Sequence, residues 1–449
     1  MTDHFDVAIL GAGPAGEHAA TALAGQDRRV LMIERELIGG ECSNWACIPT
    51  KTLLRPTEVR GESERGAGTE PADLNWAALA AYRDYMTSAG DDSARVKGYE
   101  DMGVRVVKGD GQLAGPGRLS VDGDAYTADQ ILISTGSDPV IPPIEGLAQA
   151  GYWTNREATA LREIPRSAVI VGGGPVGIEL AQFLHRFGTR VVLVQGDPRL
   201  VAREDERVCE LLTDALRTAG IDVHLDAHAT SVRRDGDERV VTLEGGAELR
   251  GEQLIIAVGR RPRARDLGLE TVGVEIRDHG IPIDRHCRVT DGVWAAGDCT
   301  GVMLFTHLAK YQARVAMADM RGRPIDADYR AIPRVIFTDP EVAAVGVTAQ
   351  QAAEQELAVV SAKVSLPGSI ARPSTYEQDP RGELGVILDS DRRVLVGAWA
   401  VSPLASEWIH HAVLAIRAEV PYDVLMDTVA QFPSYSEAFL SALQALALD

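Results

Sequence analysis

The sequence predicts an α/β protein in which two doubly wound, parallel-sheet domains precede a C-terminal α+β segment. Three observations predict this fold class. A buried strand leading through G-x-G-x-x-G into a helix begins at Phe5 and again at Ser167. A chain of 449 residues is long enough for about two to four domains with separate cores. From about Asp326 the pattern changes to short strands followed by amphipathic helices.

The first of these elements is typical of a dinucleotide site. After the strand FDVAIL, the residues Gly11, Gly13 and Gly16 open an Ala-rich helix. The N-terminus of such a helix binds a pyrophosphate through its backbone N–H groups and its dipole. The next strand, RRVLMIE, ends in Glu34, whose carboxylate is placed to accept hydrogen bonds from a ribose.

The same pattern recurs near the middle of the chain, so we predict two Rossmann-like dinucleotide-binding domains. Gly172, Gly174 and Gly177 follow the strand SAVIVGG with the same spacing. The acid of the first copy follows the third glycine by 18 residues, and the same offset in the second copy falls on Gln195. The second site therefore lacks the ribose carboxylate.

Two cysteines, Cys42 and Cys47, follow the first dinucleotide motif in the segment GGECSNWACIPTK. They lie five residues apart at the start of a predicted helix, so their sulfurs can close a small ring. The helix N-terminus lowers the pKa of whichever thiolate lies near it. We predict that the pair is a redox disulfide that cycles rather than a structural crosslink.

Composition limits the classes of function. The formal net charge of −20 disfavours a nucleic-acid surface. The sequence has no apolar run long enough to cross a bilayer, and its first strand begins too early to leave room for a signal peptide. We therefore expect a cytoplasmic protein with no nucleic-acid or membrane partner and no bound metal, in which Cys209, Cys287 and Cys299 are packing residues.

Five motifs in this order resemble the flavoprotein disulfide reductases: GAGPAG, GGECSNWACIPTK, GGGPVGIE, AVGRRPR and WAAGDC. This is the family of dihydrolipoamide dehydrogenase, glutathione reductase and mercuric reductase, and the resemblance spans nearly the whole chain. It implies an NAD(P)H-dependent FAD enzyme that forms a homodimer, with each active site completed by C-terminal residues of the other subunit. It also implies that Cys47 lies against the flavin and that Cys42 attacks the substrate.

The resemblance assigns further site residues. Asp298 would hydrogen-bond the ribityl chain of FAD, and Lys51 and Glu179 are similar to a pair that the family keeps near flavin N5. The other residues expected to line the two cofactor sites flank these motifs: Pro14, Ala15, Arg35, Gly40, Glu41, Thr135, Gly136, Pro175, Val176, Gly259, Arg260, Gly297, Leu304, Phe305, Thr306 and His307.

The choice between NADPH and NADH depends on Gln195 and two arginines. A carboxylate at this position would repel a 2′-phosphate, so its absence, with Arg199 and Arg203 nearby, mildly favours NADPH. The surrounding stretch PRLVAREDER mixes both signs of charge, so the arginines also fit a solvated turn. We therefore predict FAD together with NADPH or NADH.

Domain boundaries follow from the motif positions. We predict an FAD-binding domain at 1–148 and 285–325, an inserted NAD(P)-binding domain at 149–284, and a C-terminal α+β segment at 326–449 that resembles the family's dimerisation domain. Within the first domain, the residues between about 98 and 126 predict short strands of a small meander.

The C-terminal stretch departs from the family. It reads FPSYSE from Phe432 to Glu437, where the family has His-Pro-Thr-x-x-Glu. In the family this imidazole moves a proton, a role typically worth about 10² to 10⁴ in rate, and Phe432 cannot do so. Glu437, which would orient the imidazole, is retained.

Three interpretations follow from the missing histidine. In the first, Tyr435, or a histidine such as His307, His410 or His411, carries the proton for a disulfide substrate. In the second, the acceptor needs no protonation, as with a metal ion, a quinone or another small electron acceptor. Mercuric ion is a poor candidate, because the chain ends without the vicinal cysteines that mercuric reductases use. In the third, the same cysteines cleave a thioether, and Phe432 keeps protons away from a carbanion.

We hypothesise that the protein is an FAD-dependent oxidoreductase. It passes electrons from NAD(P)H to Cys42 and Cys47, and then to a disulfide or another thiol-reactive small-molecule acceptor. Two alternatives remain open. One is a quinone or oxygen reductase in which the cysteines are not essential. The other is a non-catalytic flavoprotein that senses redox state or serves as a scaffold.

Overall fold

The structure is a computed structural model that describes residues 3–276 and 279–447. The strands in chain order are β1 (Asp3–Leu10), β2 (Val30–Glu34), β3 (Val104–Lys108), β4 (Gly111–Leu113), β5 (Arg118–Val121), β6 (Asp124–Ile133), β7 (Ser137–Pro139), β8 (Ser167–Val171), β9 (Arg190–Val194), β10 (Asp222–His224), β11 (Ala229–Asp235), β12 (Glu238–Leu243), β13 (Glu248–Gly251), β14 (Gln253–Ile256), β15 (Arg260–Pro262), β16 (Arg288–Thr290), β17 (Val293–Ala295), β18 (Pro333–Ile336), β19 (Glu341–Gly346), β20 (Val359–Ser365), β21 (Glu383–Asp389) and β22 (Val394–Ser402).

The helices in chain order are α1 (Pro14–Leu23), α2 (Gly40–Asn44), α3 (Cys47–Arg65), α4 (Trp76–Met86), α5 (Ser93–Asp101), α6 (Leu147–Ala150), α7 (Asn155–Thr159), α8 (Pro175–Arg186), α9 (Glu206–Thr218), α10 (Thr306–Met320), α11 (Ala349–Glu354), α12 (Leu366–Ser369), α13 (Arg372–Tyr376), α14 (Ala405–Trp408), α15 (His410–Arg417), α16 (Tyr422–Met426) and α17 (Ala438–Gln444). Short 3₁₀ turns occur at Ser88–Gly90, Leu269–Val272, Asp298–Thr300 and Tyr435–Glu437.

The chain forms two compact units, which interleave in sequence. Unit 1 comprises the described parts of Met1–Thr50, Ala80–Ile141 and Gly259–Ala327, and unit 2 those of Lys51–Leu79, Pro142–Val258 and Asp328–Asp449. The chain returns to unit 1 at Gly259, where β15 pairs with β7. The three-domain division with the boundaries predicted above stays a prediction.

Unit 1 is built on a sheet with the order β16-β17-β6-β1-β2-β3, from which β4 and β5 extend as an antiparallel ribbon beside β6. Strands β1, β2, β3, β6 and β17 pair in parallel. Both faces of β2 are covered: Val30 and Met32 join a cluster with α1 and α10, and Leu31 and Ile33 join one with β4 and β5. This explains why the strand is apolar without alternation.

The predicted meander is only partly correct. The ribbon of β4, β5 and β6 is antiparallel as expected. In contrast, Gly98–Asp101 lies in α5, and β3 is a parallel strand beside β2. The prediction was wrong there because the side chain of Tyr99 is buried with its hydroxyl 3.5 Å from Thr21 Oγ1 on α1, which stabilises a helix at this position.

Unit 2 contains a parallel sheet, β10-β9-β8-β14, an antiparallel sheet, β11-β12-β13, and a five-stranded antiparallel sheet, β18-β19-β22-β21-β20. A single buried cluster includes Leu53 and Leu54 of α3, Phe183 of α8 and Trp399 of β22. A second cluster lies between the five-stranded sheet and the helices α15 and α17. The C-terminal segment is thus α+β, as the sequence predicts.

A half-buried ion cluster in unit 2 packs against Gly61 of α3. Arg65 donates to both carboxylate oxygens of Asp339 at 2.7 and 2.8 Å and to Glu377 at 2.6 Å, and Arg186 donates to Asp339 at 3.0 Å. A Cβ on Gly61 would lie 2.3 Å from Asp339 Oδ2. Only a glycine leaves room for this carboxylate.

We expect Gly61→Ala to lower the free energy of unfolding by about 1 to 3 kcal/mol. The displaced Asp339 carboxylate weakens a largely buried ion pair, which outweighs the roughly 1 kcal/mol that alanine gains over glycine in a helix. Chemical denaturation measures the change. The matched control is Gly98→Ala in α5, where a Cβ meets nothing within 4 Å; this variant should be as stable as the parent or more stable. Equal stability of both variants would contradict the prediction.

Candidate active site

The first glycine loop of unit 1 joins β1 to α1. A Cβ on Gly11 would lie 2.5 Å from the Ser134 carbonyl oxygen, and one on Gly16 would lie 2.0 Å from the Gly11 carbonyl oxygen. At Gly13, the N-cap of α1, a Cβ would meet nothing within 4 Å, and no side chain caps the helix. The first-turn N–H groups of α1 are therefore open to a pyrophosphate.

Glu34 holds this loop from the end of β2. Its Oε2 accepts the Ala12 N–H at 2.8 Å, and its Oε1 accepts the Glu36 N–H at 2.7 Å. The residue is 8% exposed, and each carboxylate oxygen retains a second lone pair. Glu34 can therefore stiffen the glycine loop and still accept hydrogen bonds from ribose hydroxyls.

The two candidate redox cysteines lie on consecutive helices of unit 1. Cys42 is in α2, and Cys47 is the first residue of α3. They are not joined by a disulfide bond in the structure, and both are partly exposed. Cys47 Sγ lies 3.4 Å from the hydroxyl of Thr306, the first residue of α10. The N-termini of two helices therefore meet at this sulfur, and their dipoles stabilise negative charge there.

The pKa of the Cys42 thiol depends on its neighbour Cys47. A hydrogen bond with Cys47, followed by burial, raises the pKa of the Cys42 thiol. The hydrogen bond with Cys47 and the charge of Cys47 therefore both favour the protonated form of the Cys42 thiol. The expectation that a helix N-terminus lowers the pKa of the nearest thiol concerns Cys47, the first residue of α3, and stays a prediction.

Asp298 follows β17 and begins a short 3₁₀ turn. Its Oδ2 accepts a hydrogen bond from Ser137 Oγ at 2.6 Å. The preceding Gly297 has a φ of 89° and donates its N–H to Gln312 Oε1 at 2.7 Å. Burial raises the pKa of Asp298, whereas the Ser137 hydrogen bond and the Arg260 charge lower it. The carboxylate is thus held in one orientation with its other lone pairs available.

The remaining predicted cofactor residues of unit 1 have varied partners. The Phe305 and His307 rings stack with centroids 5.1 Å apart. Arg260 Nη2 lies 3.5 Å from Glu41 Oε2. Pro14 and Ala15 lie in the first turn of α1, Gly40 begins α2, Thr135 and Gly136 follow β6, Gly259 precedes β15, Leu304 lies two residues before α10, and Arg35 lies within 4.0 Å of the Asp110 and Asp138 carboxylates.

The second glycine loop, in unit 2, repeats the geometry of the first. A Cβ on Gly172 would lie 2.3 Å from the Ala257 carbonyl oxygen, and one on Gly177 would lie 1.9 Å from the Gly172 carbonyl oxygen. Gly174 is an open N-cap, like Gly13, and Pro175 and the exposed Val176 form the first turn of α8. This helix N-terminus also fits a pyrophosphate.

Gln195 holds the second loop as Glu34 holds the first. Its Oε1 accepts the Gly173 N–H at 2.8 Å, and its Nε2 donates to Asp197 at 2.7 Å. Arg199 pairs with Glu206 at 3.1 Å, and Arg203 is exposed. The neutral Gln195 therefore has a structural task, and a carboxylate lies directly beside it.

Lys51 and Glu179 form an ion pair within unit 2. Lys51 Nζ lies 2.7 Å from Glu179 Oε2, and it also lies 4.8 Å from the centre of the Phe337 ring. Glu179 is 4% exposed, and its Oε1 accepts the Phe337 N–H at 2.9 Å. This backbone contact orients the carboxylate toward the lysine. No sequence motif pointed to Phe337.

The C-terminal candidates have different environments. Phe432 is 65% exposed, whereas Tyr435 is 5% exposed and stacks on Trp408 with centroids 6.2 Å apart. Burial raises the pKa of Tyr435, and its hydroxyl lacks a hydrogen-bond partner among the described residues. Glu437 Oε2 is likewise buried without such a partner.

The two C-terminal histidines also differ. The His411 ring stacks on Phe439 with centroids 5.0 Å apart, and burial lowers the pKa of His411. His410, the first residue of α15, is exposed. Both lie on the helix that packs against the five-stranded sheet.

No group of three or more His, Cys, Asp or Glu side chains within 3–276 and 279–447 is arranged to hold a metal ion. In the same part of the chain, no helix combines the length and the apolar character that a bilayer crossing needs.

A fold with sites for two dinucleotides and a pair of cysteines defines the class of dithiol oxidoreductases. Comparison with known proteins supports this class. Residues 5–314 match the family model for pyridine nucleotide-disulphide oxidoreductases, and residues 332–443 match the dimerisation domain of the same family. The chain therefore belongs to the pyridine nucleotide-disulphide oxidoreductase family, whose members use FAD and NAD(P)H. The predicted family, fold class, enzyme class and cofactors are confirmed, and the dimerisation domain supports a homodimer.

Relatives in this family have different acceptors. Mercuric reductase from Streptomyces lividans is 34% identical over 466 residues, covering 99% of this chain and 97% of that protein. Dihydrolipoyl dehydrogenase from Thermus scotoductus is 32% identical over 457 residues, covering 98% and 97%. The solved Cu(II) complex of RclA, an HOCl-induced flavoprotein disulfide reductase from Escherichia coli, has a TM-score of 0.86 at 27% identity and covers 98% of this chain and 99% of its own.

Proposed function

We propose that this protein passes two electrons from NAD(P)H through FAD to a Cys42–Cys47 disulfide, and from there to a small thiol-reactive acceptor. The observation that carries the proposal is the environment of Cys47, whose sulfur lies at the N-termini of α3 and α10 and shares a hydrogen bond with Cys42. Two neighbouring sulfurs, one of them at the N-termini of two helices, suit a dithiol relay.

The chain's own residues set the order of events. Bound FAD supplies the hydride-accepting chemistry. Two electrons and one proton open the disulfide to a Cys47 thiolate and a Cys42 thiol. Cys42 must then lose its proton to attack an acceptor, and position 432 carries no base. Lys51, four residues after Cys47 in α3, forms an ion pair with Glu179 at 2.7 Å.

Among the acceptors, we propose one that needs no proton from a C-terminal base. Tyr435 packs in the core of the C-terminal segment, and the partly buried His411 stacks on Phe439. Burial shifts the pKa of Tyr435 upward and that of His411 downward. Each shift favours the neutral side chain, which makes proton exchange with a substrate harder. Thiophilic metal ions other than mercury fit this requirement, and the similarity to RclA, solved as a Cu(II) complex, supports testing Cu(II).

We further propose NADH as the better electron donor, although the sequence pattern mildly favoured NADPH. The Asp197 carboxylate beside Gln195 would repel a 2′-phosphate, and Arg199 is already paired with Glu206. A reducing compartment such as the cytoplasm suits a protein whose five cysteines include three buried, unbonded ones.

An anaerobic titration with NADH, and separately with NADPH, tests these proposals. We expect a long-wavelength absorption band from a Cys47 thiolate beside oxidised FAD after one hydride equivalent, with NADH effective at lower concentration. Bleaching of the flavin without that band would contradict the dithiol relay, and tighter use of NADPH would contradict the nucleotide assignment. Asp197→Asn provides the control for the second point, since it should narrow the preference for NADH.

A further inference from the structure

Arg260 lies between two carboxylates of unit 1. The antiparallel pair of β7 and β15 places Pro262 opposite Ser137. From this frame, Arg260 Nε donates to Ser137 Oγ at 2.8 Å, and Nη2 donates to the Ser137 carbonyl oxygen at 2.8 Å. Nη2 also lies 3.5 Å from Glu41 Oε2, one residue before Cys42. With its side chain 18% exposed, the guanidinium is largely withdrawn from solvent.

This arrangement determines where the Ser137 hydroxyl hydrogen points. A guanidinium has only donors, so Ser137 Oγ must accept from Arg260. The one hydrogen of Ser137 is then directed to Asp298 Oδ2, 2.6 Å away. Ser137 is 3% exposed, so water does not compete for these bonds. Arg260, Ser137 and Asp298 therefore form a polarised chain that ends on a carboxylate.

Besides burial, three groups act on the Asp298 carboxylate, two of them against the cost of burial and one in the same direction as burial. Burial raises the pKa of Asp298, the Ser137 hydrogen bond and the Arg260 charge lower it, and the Glu41 charge raises it. Ser137 and Arg260 thus favour the ionised form, and Glu41 opposes it. Because these effects on the pKa of Asp298 have opposite signs, the hydrogen-bond chain can be tested by removing each group in turn.

We propose that Ser137 and Arg260 are positioning residues that keep Asp298 oriented and ionised beside FAD, and that Glu41 draws on the same guanidinium from the redox-cysteine helix. This inference rests on the proposed placement of FAD at Asp298. Its consequence is electrostatic. A change of charge at Glu41 changes the pKa of the Asp298 carboxylate at the flavin site, because both groups interact with Arg260.

The reduction potential of bound FAD, measured as a function of pH, tests this hydrogen-bond chain. We would use a Cys42→Ser/Cys47→Ser background, so that the flavin alone accepts electrons. In Ser137→Ala and in Arg260→Met, the pH at which the potential changes slope should move up, because Asp298 holds its proton to higher pH. Where the variant carboxyl is protonated and the parent carboxylate is not, the lost negative charge should favour the reduced flavin about tenfold, about 30 mV for a two-electron couple. Glu41→Gln should shift the slope change in the opposite direction.

Control variants separate the effect of the hydrogen-bond chain from that of its surroundings. Arg261→Met removes the same charge from the exposed neighbouring position of β15 and should leave the profile unchanged. Ser137→Thr keeps the hydroxyl and should restore the parent profile. FAD content and melting temperature report on folding, and Ser137→Ala decides the test if Arg260→Met does not fold.

Asp298→Asn distinguishes the two ways in which the inference can fail. Suppose that Asp298→Asn abolishes the slope change, but Ser137→Ala and Arg260→Met do not move the pH at which it occurs. The proposed hydrogen-bond chain is then contradicted, and the placement of FAD beside Asp298 stands. If Asp298→Asn itself leaves the profile unchanged, FAD does not lie beside Asp298, and the placement and the inference both fail.

Discussion

Cys42→Ser is expected to lower turnover of a thiol-reactive acceptor by at least about 10³-fold while NADH still reduces the bound FAD. The expectation follows from the proposed relay, because serine cannot form the disulfide or attack the acceptor, and removing a catalytic nucleophile usually costs several orders of magnitude. Stopped-flow absorption measures flavin reduction, and steady-state assays with a disulfide and with Cu(II) measure acceptor turnover.

Two variants complete this test. Cys47→Ser should abolish the long-wavelength band, because its sulfur is the one assigned to the flavin. Cys209→Ser replaces a buried cysteine in unit 2, where the thiol lies 3.7 Å from the Val201 carbonyl oxygen, and should keep full turnover. If Cys42→Ser retains the parent rate, the cysteines are not the relay, and a quinone or oxygen reductase becomes the better hypothesis.

Phe432→His is expected to raise turnover of disulfide substrates by about 10² to 10⁴, the usual value of a general acid-base. The prediction rests on Glu437, which the chain retains and whose Oε2 is buried without a hydrogen-bond partner in the described residues. An imidazole at position 432 would give that carboxylate the partner that the family's pattern supplies. Steady-state rates with lipoamide and with glutathione disulfide measure the gain.

The pH dependence and a matched variant give this prediction its control. The gain should titrate near the ordinary pKa of histidine, about 6.5. Phe432→Leu removes the ring without adding a base and should give no gain. Equal gains in both variants would show that Phe432 acts by blocking the site, and a loss of activity toward a thioether in Phe432→His would favour the carbanion interpretation.

The local motifs were predictable because backbone sterics dictate them. Gly11 and Gly16, like Gly172 and Gly177, stand where a Cβ would overlap a carbonyl oxygen, so their spacing appears in the sequence whatever else surrounds it. Glu34 ends the strand that follows the first loop, and the two cysteines share one short segment, GGECSNWACIPTK, so each is recognisable locally.

Other features depend on contacts between residues far apart in the chain. The interpretation of Gln195 changed because its side chain proved to be bonded to the Gly173 N–H and to Asp197. Tyr435 stays a candidate proton carrier, and only the structure shows that its ring stacks on Trp408. Phe337 and Ser137 carried no signal at all, since their roles arise only from pairing with Glu179 and Arg260.

The sequence by itself determined the two dinucleotide motifs, the cysteine pair, the missing histidine and the family, because each is written in a short segment whose geometry is local. Only the tertiary structure decided that the Thr306 hydroxyl lies beside the Cys47 sulfur, what holds Asp298 and how Gln195 is used. Those outcomes depend on burial and on hydrogen bonds between distant segments. Both follow from the fold and are not visible in any short stretch of the sequence.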